Sequence, residues 1–192
     1  MRKRTGRAMA MVPALLLAGV AAAAPPPELE AEQVNIDPGA WLALGGSVQQ
    51  RLAQSFEVVQ AGTITHVMVP MSCQPKADVR VTLEKTSGGM PDGSVLAYEE
   101  LPGFVFDSVP TPAIGMRMIE FGAPPLVAPG TYAVTLRVKG RYDCGVVAGP
   151  YGDPYPAARA WFIAADNPPG WIELFDAGGT RDLAFQVFLR PL

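Results

Sequence analysis

The stretch RDLAFQVFL, from Arg181 to Leu189, decides the fold class of this chain. Its apolar residues recur at every second position, which is the period of a β-strand that packs one face against a core. We therefore predict a central strand that places two sets of side chains on opposite faces. Leu183, Phe185, Val187 and Leu189 face the core, whereas Ala184, Gln186 and Phe188 face the other way.

The same alternation recurs upstream, separated by turn signals. In ADVRVTLEK (Ala77–Lys85) the residues Val79, Val81 and Leu83 point inward, and Arg80, Thr82 and Glu84 point outward. Turns such as TSGGMPDGS, rich in Gly and Pro, follow these runs. AQSFEVV and TITHVMVPM flank Ala61–Gly62, which we interpret as a tight connection between strands. Short strands at this spacing predict an all-β fold, a two-sheet antiparallel β-sandwich (jelly-roll) of about eight to ten strands.

The N-terminal residues have the features of a targeting signal. MRKRTGRAMAMVPALLLAGVAAAAPPP has a basic start, an apolar run and a small-residue stretch, the layout of a secretory signal peptide. We predict cleavage after Ala23; the alternative, a transmembrane anchor, is disfavoured because the run is short, Ala-rich and interrupted by Pro13. The domains predicted are a signal peptide at 1–23, a flexible Pro- and Glu-rich arm at 24–39, and the β-sandwich at 40–192.

The net charge limits the classes of binding partner that we expect, and the cysteine content indicates the cellular compartment. The net charge of -3 does not favour a polyanionic partner, so nucleic acid is not predicted as a ligand. Cys73 and Cys144 are the two cysteines of a chain that carries an export signal, and thiols tend to pair in oxidising compartments. We predict one disulfide between them, in a periplasmic or extracellular protein with no membrane span after signal cleavage.

The sequence contains few of the residue combinations that catalysis requires. His66 is the only histidine and lies within a predicted strand, so triads and His-rich zinc sites have no basis. We predict no enzyme, no metal site and no cofactor. Two alternatives stay open: scattered carboxylates could serve a small secreted hydrolase, or could hold a structural calcium ion, although no spaced Asp motif is present.

Aromatic and acidic residues cluster in the last third of the chain. Flat rings that stack on sugar faces, beside short polar side chains that bind hydroxyls, are the usual chemistry of carbohydrate recognition on a β-sandwich. The alternative is that the same rings plug the core and that an exposed sheet meets a protein partner in the cell envelope. The predicted ligand-binding residues are Tyr151, Asp153, Tyr155, Trp161 and Trp171.

Several segments also carry a family resemblance. The order of DVRVTLEKTSGGMPDGSVLA, APGTYAVTL and RDLAFQVFL resembles a jelly-roll domain of bacterial exported and surface proteins, of the kind attached by varied anchors (choice-of-anchor type). The matching positions are Gln54–Phe56, Gly88–Ala97, Gly130–Tyr132 and Asp182–Phe185. The resemblance implies a non-catalytic module, similar in shape to carbohydrate-binding modules, whose partner is a glycan or other cell-surface polymer.

Overall fold

The computed structural model describes residues 24–113, 115–167 and 169–192. The predicted signal peptide at 1–23 lies outside the described residues. The described chain is all-β, with antiparallel sheets packed as a sandwich, and this confirms the predicted fold class.

The strands outnumber the eight to ten predicted, because several two- to four-residue strands extend or flank the main ones. Seventeen strands and one short 3-10 helix lie in the described ranges. They are β1 (Glu28–Gln33), β2 (Trp41–Gly45), β3 (Arg51–Val58), β4 (Gly62–Val69), β5 (Met71–Cys73), β6 (Asp78–Ser87), β7 (Met90–Pro102), the 3-10 helix (Gly103–Val105), β8 (Asp107–Ser108), β9 (Arg117–Glu120), β10 (Leu126–Val127), β11 (Gly130–Lys139), β12 (Asp143–Val147), β13 (Ala160–Ile163), β14 (Ile172–Glu173), β15 (Phe175–Asp176), β16 (Gly179–Thr180) and β17 (Phe185–Pro191).

Two layers enclose the core. One layer is a six-stranded sheet in the order β14-β13-β3-β11-β6-β7. The opposite layer contains a five-stranded sheet, β1-β17-β4-β10 with β9 also paired to β4, and a four-stranded sheet, β2-β12-β5-β8. Phe56 of the six-stranded sheet meets Phe185 of the five-stranded sheet, with ring centroids 6.5 Å apart. The core therefore lies between the six-stranded sheet and the face of β17 that the sequence predicted to be apolar.

β17 follows the predicted alternation within its own bounds. Phe185, Val187 and Leu189 are fully buried, and Gln186 and Phe188 are half-buried on the other face. Ala184 is a correction, because it is fully buried rather than outward-facing. It lies just before β17, where its N–H donates to the carbonyl of Val147 at 3.3 Å and the strand period no longer applies.

The predicted N-terminal arm is also corrected. Residues 28–33 form β1, which pairs antiparallel with β17 and buries Ala31 and Gln33. The composition of this segment is polar because β1 is an edge strand with one exposed face, and edge strands commonly carry charge. The sandwich therefore begins before residue 40, and β17 is a central strand only because β1 covers its far side.

The predicted disulfide is present. Cys73 on β5 and Cys144 on β12 are cross-strand partners, with Cα atoms 4.0 Å apart and a bond between their sulfurs. Both cysteines are buried, and they tie together strands that are 71 positions apart in the sequence.

Candidate functional site

The five residues predicted from the sequence lie in two separate places. Tyr151, Asp153 and Tyr155 belong to the loop between β12 and β13, whereas Trp161 and Trp171 lie at the six-stranded sheet. Tyr151 is exposed, and its ring faces the guanidinium of Arg181 at 3.4 Å. A Cβ on Gly178 would lie 2.3 Å from the Tyr151 ring, so this glycine allows the ring to rest on the backbone. The Tyr151 ring is thus held by contacts within the protein.

Tyr155 and Asp153 also make contacts within the protein. The Tyr155 ring meets Phe185 edge to face, with centroids 5.2 Å apart, and its hydroxyl accepts the backbone N–H of Glu57 at 3.3 Å. Burial raises the pKa of Tyr155 above its ordinary value. Asp153 Oδ2 accepts a hydrogen bond from Arg159 Nη1 at 2.9 Å. These two residues therefore support the loop and its attachment to the core.

Trp161 stands at one end of a cross-strand row on the outer face of the six-stranded sheet. The row runs Trp161, Ala53, Thr135, Thr82, Tyr98 across five neighbouring strands. Four strand spacings separate its ends, about 19 Å. The three middle residues are small and buried, so the row has an aromatic residue at each end and a low floor between. The Trp161 indole N–H donates to Ser55 Oγ at 3.3 Å, which fixes that ring from below.

Trp171 lies beside this floor. It lines a cleft of about 110 Å³ together with Thr82, Glu84 and Thr135. The arginines Arg51, Arg80 and Arg137 line the same cleft, and Glu84 is the one carboxylate among its lining residues in the described chain. Guanidinium, hydroxyl and carboxylate groups beside an indole can hydrogen-bond and stack, which is the chemistry of recognition of a polar ligand with a flat face.

Arg51 also borders a neighbouring cleft. This second cleft measures about 160 Å³ and is lined by Gln49, Arg51, Ile163, Ala164 and Ala165. The two clefts share only the Arg51 side chain, which stands between them. An extended ligand that lies across the sheet would pass Arg51 in reaching from one cleft to the other.

The sequence pattern indicates Trp161 and Trp171 as candidate residues but does not distinguish the arginines of the cleft from other outward-facing residues. A signal existed, since Arg80, Thr82 and Glu84 were predicted to point outward from β6, and Arg137 has the same parity on β11. The alternation gives the face of each side chain. It does not give the order of the strands, and only that order brings Arg51, Arg80 and Arg137 into one cleft.

His66 lies on the opposite surface of the sandwich. Its imidazole stacks on Phe188, with centroids 4.3 Å apart and ring planes inclined by 15°. Burial holds the pKa of His66 below its ordinary value, and Glu120 opposes that shift. Among residues 24–113, 115–167 and 169–192, no three His, Cys, Asp or Glu side chains cluster as a metal site would require, and no helix has the length and apolar character to span a membrane.

The fold defines the class of this protein, an all-β two-layer sandwich. Among solved structures, the chain is similar to the crystal structure of the cysteine protease and lectin-like domains of a surface-layer-associated protein of Clostridium difficile, with a TM-score of 0.50 and 10% identity. The match covers 75% of this chain and 32% of that chain, so this chain spans about a third of the length of the solved structure. At this identity the likeness is one of fold alone. No protein-family model and no curated protein sequence matches the chain.

Proposed function

We propose that the protein is an exported, non-catalytic β-sandwich module that binds a glycan or another polymer of the cell envelope. The observation that carries the proposal is the cleft on the outer face of the six-stranded sheet, which is lined by the Trp171 indole together with hydroxyl, guanidinium and carboxylate side chains. The fold similarity to a structure that contains a lectin-like domain is compatible with it. So is the resemblance of the sequence to choice-of-anchor-type jelly-roll domains.

The predicted binding residues divide under this proposal. Trp171 stacks on the ligand, and Trp161 closes the far end of the floor beside β14. Tyr151, Asp153 and Tyr155 hold the adjoining loop in place through Arg181, Arg159 and Phe185.

Affinity electrophoresis of the purified protein through gels that contain single polysaccharides tests the proposal. We expect at least one envelope polysaccharide to retard the wild type, and Trp171→Ala to abolish most of that retardation because the stacking surface is lost. Phe104→Ala is the matched control, since Phe104 is 71% exposed on the 3-10 helix and does not line the cleft. Equal retardation of wild type and Trp171→Ala, at equal urea midpoints, would contradict the site.

Export is part of the same proposal. The buried Cys73–Cys144 bond suits an oxidising compartment. We expect the protein recovered from the periplasm or the medium to begin at Ala24, and N-terminal sequencing that finds Met1 intact would contradict cleavage.

A second function, attachment to a protein of the envelope, rests on a different surface. The outer face of the five-stranded sheet exposes Leu29 by 45%, Met118 by 55% and Leu126 by 65%, around the stacked His66–Phe188 pair. Under this alternative, Met118→Glu weakens capture of an envelope protein and Trp171→Ala leaves it unchanged. The cleft proposal requires the reverse pattern with polysaccharide.

A further inference from the structure

Three arginines stand side by side across three adjacent strands of the outer face. Arg137 on β11 is the register partner of Arg80 on β6. On the other side of β11, Leu136 pairs with Leu52 of β3, so the next position places Arg51 beside Arg137. Neighbouring strands are about 4.8 Å apart, which brings the side chains of such a row within reach of one ligand. All three line the cleft together with Trp171.

Among the described residues, only one of these arginines forms an ion pair with a carboxylate. Arg80 Nε lies 3.2 Å from Glu100 Oε1, and its guanidinium lies over the Tyr98 ring at 4.1 Å. In the described chain, neither Arg51 nor Arg137 makes an ion pair with a carboxylate. Like charges directly opposite each other on neighbouring strands destabilise a sheet. The fold therefore keeps a repulsive pair where neutral residues would be more favourable.

Glu84 offsets part of this charge but forms no ion pair with Arg51 or Arg137 among the described residues. Its two carboxylate oxygens accept hydrogen bonds from Thr135 Oγ1 at 2.7 Å and from the Gly93 N–H at 3.2 Å. These bonds hold the carboxylate against β11 and against Gly93 of β7. The cleft thus carries three guanidinium groups and one carboxylate, and its local charge is positive although the whole chain is acidic.

The electrostatics of Arg51 agree with this geometry. Its pKa lies below the ordinary arginine value because of burial first and the nearby charge of Arg137 second, and Glu84 opposes that shift. An anion placed between Arg51 and Arg137 would compensate for the lost hydration with hydrogen-bond acceptors and would offset the repulsion with opposite charge.

We propose that the ligand of this cleft is an acidic polysaccharide, whose anionic groups lie between Arg51 and Arg137 while a sugar ring stacks on Trp171. This inference rests on the proposed glycan-binding function and names its ligand class. Carboxylate and sulfate groups share the required chemistry, since a guanidinium binds either through two parallel N–H···O hydrogen bonds. A nucleic acid fits less well, because the net charge of -3 opposes long-range attraction and the basic groups form one short row rather than an extended track.

The experiment compares charged and neutral polymers on the purified full protein. Polygalacturonate is the carboxylated probe, the same polymer with its carboxylates reduced to alcohols is its neutral match, and dextran sulfate is the sulfated probe. We expect polygalacturonate or dextran sulfate to bind more tightly than the reduced polymer, with affinity that falls as salt is raised. If only one of the two charged polymers is retained, its anionic group is the one that the three arginines select.

Substitutions of the arginines test whether they bind the charged polymer. Arg137→Gln and Arg51→Gln should each weaken binding of the charged polymer about tenfold or more, because a charged hydrogen-bonding partner is lost. Arg141→Gln is the matched control, since Arg141 is exposed and outside the cleft. Both cleft variants should keep or raise the urea midpoint, because they relieve a like-charge contact. Loss of binding that is explained by unfolding would therefore contradict the proposal.

The remaining outcomes separate the two proposals. Equal, Trp171-dependent binding of the charged and the reduced polymer overturns the acidic ligand and leaves the glycan module standing. Retention of neither charged polymer overturns the acidic ligand, and failure of every polysaccharide overturns the glycan module as well. Tighter binding of a single-stranded DNA oligonucleotide than of either charged polymer overturns the ligand class in favour of nucleic acid.

Discussion

The side-chain amide of Gln54 donates a hydrogen bond to the carboxylate of Asp182, with Nε2 and Oδ1 3.0 Å apart and 128 positions between them in the sequence. Both side chains are fully buried. Gln54 Oε1 in turn accepts the N–H of Leu183 at 2.8 Å, and Asp182 Oδ2 accepts the N–H of Tyr155 at 3.0 Å. This pair joins β3, the loop after β12 and the approach to β17 through one polar network.

Removal of the carboxylate should be costly. Asp182→Ala leaves the Tyr155 N–H and one of the two N–H groups of the Gln54 amide without an acceptor in the interior, while the other keeps its bond to the Ser55 carbonyl. Each unsatisfied buried group costs about 1–3 kcal/mol. We expect a loss of roughly 2–5 kcal/mol in the free energy of unfolding, measured from urea denaturation. Asp78→Ala, at an exposed position of β6, is the control and should change little. Similar midpoints for the two variants would show that the network contributes nothing.

The two faces of β17 should differ sharply in their sensitivity to truncation. Phe185→Ala removes a fully buried ring that contacts Phe56 and Tyr155, and the resulting cavity should cost about 3–5 kcal/mol. Gln186→Ala loses only an exposed hydrogen bond to Glu32 and should cost less than about 1 kcal/mol. Urea midpoints of the two variants check this; a larger loss for the glutamine change would place the wrong face of β17 in the core.

The pKa of His66 can be measured by NMR titration without overlap from other histidines, since it is the only histidine in the sequence. Its pKa is expected below 6.5, lower still in Glu120→Gln, and closer to 6.5 in Phe188→Ala, which removes the ring that helps to bury it. As the pH falls through 6.5 the unfolded chain takes up the proton first. The stability that depends on neutral His66 is therefore present above 6.5 and is lost toward the folded pKa. A measured pKa above 6.5 in the wild type would reverse this sign.

The disulfide should contribute a large share of stability. Closure of a loop between Cys73 and Cys144, 71 positions apart, stabilises the folded state by about 4 kcal/mol in the chain-entropy model. The Cys73→Ala/Cys144→Ala double variant should therefore unfold at a much lower urea concentration, and a reducing agent should lower the wild-type midpoint but not that of the variant. An unchanged wild-type midpoint under fully reducing conditions would refute this.

The period of the apolar residues was enough to predict the class of the fold and the core face of β17, because side-chain parity is a local property. The alternation does not apply to Ala184, because the strand begins one residue later and a tertiary contact with Val147 buries this residue. The arm was misjudged for a related reason. Polar composition is the same for a mobile segment and for an edge strand, and only pairing with β17 distinguishes them.

The type of each strand connection and the residues that share a cleft depend on the order of the strands in the sheets. That order could not be predicted from the alternation of residues along each strand. The link at Ala61–Gly62 joins β3 to β4, but these strands belong to opposite layers rather than to one hairpin. Gly62 is required there by space, because a Cβ would lie 2.4 Å from a methyl carbon of Leu189. Likewise, Arg51 and Arg137 are 86 positions apart by their numbers, and nothing local indicates that β3 and β11 are neighbours.

The pairing of β1 with β17 sets a condition on how this protein can be made. The strand at Glu28–Gln33 finds its partner only at Phe185–Pro191, and β17 also separates β1 from β4. Until residue 191 has cleared the ribosome, the five-stranded sheet has a gap in its middle and one side of the core stays open. Such contacts between distant segments slow folding. Under the proposed export, a nascent chain that cannot complete this sheet early stays unfolded during its passage through a secretion channel, and Cys73 and Cys144 pair afterwards, where thiols can be oxidised.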